Sequence, residues 1–139
     1  MRLHLRCMAK TTEITKERAA TLSLPILRKV QDLCSLMVDV QREIPKQYKH
    51  TLGDRMLESS LNLMRAIFTI NRSEKRSSER LCHMGMFTDE FDYLKSLVRI
   101  CEEKRVITTK QQSAIAPVMT SINAQMSGWV RHTESDASA

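Results

Sequence analysis

Between residues 24 and 131, apolar side chains recur at spacings of three and four in four successive segments separated by polar breaks. Ile26, Val30, Leu33, Met37 and Val40 fall on one helical face. That helix starts near Leu24-Pro25, with Ser23 as N-cap and the proline tolerated in the first turn. It ends before Pro45, because a residue preceding proline disfavours helical geometry. A second helix is predicted from about Thr51 to Asn71. Leu52, Met56, Leu63, Ile67 and Ile70 form one stripe on it, and Leu57, Leu61, Met64 and Phe68 a second beside the first. So wide an apolar face predicts contact with two or three neighbours.

The third helix begins at Ser73 or Ser77 and runs to Lys104, with Phe87, Phe91, Leu94, Val98 and Cys101 stepping by four, three, four and three as a bundle seam does. Gly85 lies inside it and lowers helix propensity by about 1 kcal/mol relative to alanine; a glycine there allows close packing or a local break. Thr108 and Gln111 form a capping-box pattern ahead of the fourth helix, whose apolar face is Ile115, Val118, Ile122, Met126 and Trp129. Pro117 should kink that helix. No charged side chain occurs from Gln111 to Val130, which points to cover on more than one side and to a subunit interface; an exposed polar face is the alternative. Short connections predict an all-α, up-down antiparallel four-helix bundle over residues 24–131. Residues 1–23, with five basic and two acidic side chains and no sustained period, read as a flexible basic arm, and residues 132–139 as a disordered tail. Met8 is an alternative start to Met1.

Composition supports helix. In 139 residues there are only 3 Gly and 3 Pro, and aromatics make up 4%, so the turn formers and aromatic residues that sheets need are scarce. Cys34, Cys82 and Cys101 sit in apolar helical patterns and read as small buried hydrophobes; with Cys7 they make no C-x-x-C pair or zinc spacing, which suits a reducing cytoplasm. No apolar run reaches the length of a membrane span, so no membrane role is expected.

No phosphate loop, dinucleotide fingerprint or nucleophile elbow is present. His4, His50, His83 and His132 lie in separate segments and make no H-x-x-x-H ligand pair, so neither a metal nor another cofactor is implied and catalysis is not expected. The charge of +6 is more informative, since it favours an anionic partner, although a merely basic domain would carry it too. One cluster comprises Arg72, Lys75, Arg76 and Arg80, which on a continuous helix would form one stripe; Glu74 and Glu79 interleave with it. Another comprises Lys46, Lys49, His50 and Arg55 at the first turn, beside a helix N-terminus. Up-down topology brings Lys104, Arg105 and Lys110 to that same end and leaves the first cluster at the other. Two separated basic regions suit an extended polyanion, read by backbone or shape because stacking aromatics are few.

Ile44-Pro-Lys-Gln-Tyr-Lys-His-Thr-Leu-Gly-Asp-Arg55 resembles the first turn of the bacterial four-helix-bundle proteins, a group that includes the Avd accessory proteins of diversity-generating retroelements and the proteins of ribosomal RNA intervening sequences. Ala66 through Asn71-Arg72, Tyr93-Leu-Lys-Ser-Leu-Val-Arg99 and Ser127-Gly-Trp-Val-Arg131 are similar to the Avd branch in particular. Ser127 stands where a glycine is common. The resemblance implies a homopentameric basic barrel that associates with an error-prone reverse transcriptase and binds RNA or DNA, supporting mutagenic cDNA synthesis without doing the chemistry. It places Pro45, Leu52, Gly53 and Trp129 in turn geometry and packing, and Lys46, with neighbouring Lys49, at RNA or polymerase contacts. The alternatives are a bundle protein linked to ribosomal RNA and a purely structural oligomer with no polymerase partner.

Overall fold

The structure is a computed structural model describing residues 24–138; the N-terminal arm, with Ser23 and Cys7, lies outside the described residues. Four long helices, α1 (Pro25–Glu43), α2 (Asp54–Arg72), α3 (Ser78–Glu103) and α4 (Thr109–Ser138), make up the fold, and there is no strand among the described residues. Each packs on its successor and α4 closes back onto α1, with the α3–α4 seam the thinnest of the four. This is the up-down four-helix bundle that the periodicity predicts.

The core is made by the stripes read from the sequence. All five stripe residues of α1 are buried, as are Met56, Leu63, Ile67 and Ile70 on α2, the five seam residues of α3, and Ile115, Ile122 and Met126 on α4. The second stripe of α2 is only half-covered: Leu57, Met64 and Phe68 pack against the rim of the core, and Leu61 is 43% exposed. Cys34 and Cys101 are buried, but Cys82 is exposed, because its position falls off the seam that Phe87 and Leu94 define. Burial raises both buried thiols, that of Cys101 to about 11, so neither is a thiolate at neutral pH.

Helix ends follow local chemistry with three departures. Leu24 occupies the N-cap of α1, with extended backbone and no side-chain cap. The second helix is entered through a helical turn, Lys46–Tyr48, and a π-helical turn, Lys49–Gly53, so regular α-geometry starts at Asp54 and not at Thr51. The third departure is the C-terminus. Residues 132–138 are helical, not a disordered tail, because α4 has a reason to continue: Thr133 is buried and donates its hydroxyl to the Trp129 carbonyl at 2.8 Å. His132 and Asp136 then pair at 3.5 Å across one turn. Helix α4 also continues through the exposed Pro117.

Gly85 neither packs closely nor breaks α3: a Cβ built there meets nothing within 4 Å. Gly85→Ala is therefore expected to raise the unfolding free energy by about 1 kcal/mol, read from the denaturant midpoint at unchanged slope.

Candidate nucleic-acid and partner surface

The first and third connections meet at one end of the bundle. Thr108 and Gln111 cap α4 reciprocally, with Gln111 N–H donating to Thr108 Oγ1 at 3.1 Å and Thr108 N–H to Gln111 Oε1 at 2.8 Å. The remaining Gln111 amide donates to Glu43 Oε2 at 2.8 Å, tying the start of α4 to the end of α1. Pro45 holds Ile44 extended and Tyr48 N–H donates to the Pro45 carbonyl at 2.9 Å. Gly53 is buried in helical geometry, where a Cβ would stand 3.4 Å from both Gln41 Cγ and Ile44 Cδ1. Its helical backbone needs no glycine, and a Cβ there would sit at the close edge of ordinary contact.

Around this frame Lys46, His50, Lys104, Arg105 and Lys110 are exposed and Lys49 is half-buried. His50 Nδ1 lies 3.2 Å from Asp54 Oδ2, and Gln41 donates to Asp54 Oδ1 at 2.9 Å. The Gln41 bond first, and His50 second, hold the Asp54 carboxyl below the usual carboxylate range. His50 is thus engaged in organising the turn. Arg55 is exposed and lines a crevice between α2 and α3 together with Glu58 and Glu90.

Arg105 is the unexpected member. It is the one described non-glycine residue with positive φ, at 54°. Its N–H donates to Glu102 O at 3.1 Å and that of Val106 to Cys101 O at 2.8 Å, the paired bonds that close a helix on a left-handed residue. Glycine is favoured at such a position, and an L side chain there costs roughly 1 kcal/mol. Buried Val106 and Ile107 anchor the turn from below and leave the guanidinium in solvent.

At the opposite end the sequence-based stripe does not form. Chain geometry is helical to Arg72, leaves the helix at Ser73 and resumes at Ser78, with Ser77 as N-cap accepting from Arg80 N–H at 3.2 Å. Arg72, Lys75 and Arg76 are exposed on this connection. Arg80 is not: it is 6% exposed, with Nη2 donating to the Asn71 and Ser73 carbonyls at 3.1 and 2.7 Å. Those acceptors belong to the end of α2, where helical carbonyls lack partners. Its Cζ also stands 5.9 Å from the centre of the Trp129 ring, which joins the second connection to α4. Arg80 is therefore a clamp inside the protein and no contact for a nucleic acid. Arg131, exposed two residues beyond Trp129, lines the α3–α4 groove with Phe87, Thr88 and Phe91 and is a cation that charge clustering in the sequence misses.

The 19 residues of α2 separate the two basic ends by roughly 28 Å at helical rise. Together these features define an all-α bundle of four helices whose connections, rather than a pocket, carry the cations. The bAvd-like family model matches residues 24–133, and the chain belongs to that family. The match takes in the whole first turn and Trp129. No curated protein matches the chain.

Arg80→Ala removes two charge-assisted bonds to carbonyls and the stacking on Trp129, and should destabilise the protein by about 2–3 kcal/mol in denaturant unfolding. Arg80→Lys should recover only part of this, since an ammonium lacks the planar fork and its stacking face.

Proposed function

We propose that this protein is a non-catalytic, cytoplasmic accessory scaffold that holds template RNA on its basic ends and associates with the error-prone reverse transcriptase of a diversity-generating retroelement. The observation that carries the reading is the exposure of Lys46, Lys104, Arg105 and Lys110 around the joined first and third connections, in a chain of the bAvd-like family. Arg72, Lys75 and Arg76 form the second contact region, with Lys49 and His50 contributing at the first. Spacing of roughly 28 Å between the ends suits a strand laid along the bundle and contacted through phosphates. Arg105 supports the same reading, since strained backbone is often kept where a side chain has work to do. DNA in place of RNA is accommodated by the same contacts.

The protein acts as a homo-oligomer, which the resemblance makes a pentamer. The uncharged outer residues of α4, among them Ser113, Ala116, Thr120 and Ala124, are exposed in the single chain and favour a protein partner there. That face would equally serve a structural oligomer that binds no nucleic acid, and RNA binding separates the two readings.

Charge reversal at Lys46, Lys49, Arg72 and Arg76 should leave helicity intact while lowering RNA affinity. The slope of log K against log salt should fall by roughly three, at about 0.7 per lost single-strand phosphate contact. Unchanged affinity at moderate salt rejects these surfaces, and failure of the unmodified protein to retain the reverse transcriptase encoded beside it rejects the polymerase partner. Arg105→Gly should separate stability from function: it should gain about 0.5–1 kcal/mol in unfolding while binding RNA more weakly.

A further inference from the structure

The thin seam between α3 and α4 contains a slot of about 270 Å³. Its floor is apolar, made by Phe87, Phe91, Met126 and Val130. One wall is a row on α4, Asn123, Ser127 and Arg131, which are spaced by four and so share one helical line. None of these three side chains has a hydrogen bond or ion pair with a described residue. No carboxylate lines the slot, and Arg131 is its single charge. Beyond Phe91, Lys95 lies 5.0 Å from the ring centre and pairs with Asp92 at 3.0 Å, so that side adds no net charge.

Helix α4 runs antiparallel to α3, and Trp129 stands by Arg80 near the start of α3. The guanidinium end of the row is therefore the end nearer the second connection, where Arg72, Lys75 and Arg76 are exposed. About 12 Å of helical rise separates Asn123 from Arg131, close to the span of one nucleotide from base edge to phosphate. In order along the row come an amide that both donates and accepts, a hydroxyl and a cation. A base edge, a sugar and a phosphate call for those groups in that order. An apolar peptide side chain would use the floor and leave the amide and the hydroxyl without partners. We propose that the α3–α4 slot holds one unpaired nucleotide of a nucleic-acid strand. Its base lies over the apolar floor toward Asn123, its phosphate sits on Arg131, and the neighbouring phosphates lie on the second connection. The inference rests on the nucleic-acid reading above and adds a site to it. Because an amide can serve any base edge, the slot selects single strand over duplex and not one base over another.

Fluorescence anisotropy on the full chain tests the slot with three probes: a short oligouridine, the same strand made abasic throughout, and an RNA duplex. The unmodified protein should bind oligouridine about tenfold more tightly than the abasic strand. Asn123→Ala should lose roughly fivefold toward oligouridine and nothing toward the abasic strand or the duplex, at an unchanged salt slope. Arg131→Ala should weaken both single strands and lower the slope of log K against log salt by about 0.7. Ser127→Leu, which fills the slot without changing charge, should reproduce the Asn123→Ala pattern. Asn123 and Arg131 are exposed, so helicity should stay intact in both alanine variants. Equal binding of oligouridine and the abasic strand, or an equal loss toward oligouridine and duplex in Asn123→Ala, overturns the slot and leaves the basic ends standing. Failure of the unmodified protein to bind any of the three probes overturns the nucleic-acid reading and the slot with it. Loss of reverse-transcriptase retention in Asn123→Ala, with oligouridine affinity unchanged, assigns the slot to a protein partner and also overturns the proposal.

Discussion

Leu33, Met37, Leu63, Ile67, Leu94 and Ile122 are each no more than 1% exposed, and no helix could take its stripe out of water without the other three. Burying such a side chain is worth about 1.5–3 kcal/mol, while ordering each residue's backbone costs about 1–2 kcal/mol. A single amphipathic helix therefore gains too little, and four meeting along one core gain enough. The requirement fixes where the connections lie, and the connections are where the cations are. The proposed contact surface is in this sense a by-product of closing the core.

The stripes were legible because helical periodicity is a local property, repeated often enough in each segment for its phase to be read. The Thr108–Gln111 cap was legible for the same reason. What escaped depends on contacts distant in sequence. Arg80 looks like part of a cationic row only if the helix continues through Ser73; it becomes a clamp once the carbonyls of Asn71 and Ser73 and the ring of Trp129 converge on it. Thr133 looks like the start of a polar tail until its burial against the bundle extends α4 to Ser138. Arg131 comes beside Phe87, Thr88 and Phe91 of α3 only because α4 returns alongside that helix. Charge clusters in sequence are therefore a poor guide to which cations are free, since Arg80, one of the four in its cluster, is consumed by the fold.

The two basic ends are built differently, with consequences for how each can be altered. The first is rigid: Pro45, the fit of Gly53 against Gln41 and Ile44, the Asp54 bonds and the Gln111–Glu43 link fix the backbone beneath Lys46 and Lys110. The second has one main tie, Arg80, and its exposed cations sit on the short turn between α2 and α3. Loss of a charge at the first end leaves its frame standing. Loss of Arg80 removes the frame under Arg72, Lys75 and Arg76, so an effect on binding at that end has to be divided between charge and geometry by measuring stability alongside affinity.

Helix α3 is asked to serve three surfaces at once. Its inner seam is core, its ends enter the two cationic connections, and its outer line of Met86, Tyr93 and Ile100 is left to solvent. Exposed apolar side chains of this size are ordinary on the surface of a single bundle. The line lies on the flank and the free cations lie at the ends, so cover along the flank would leave Lys46 and Lys110 open. The sides of the bundle and its cationic ends are therefore separate surfaces, and a contact made along one would not block the other.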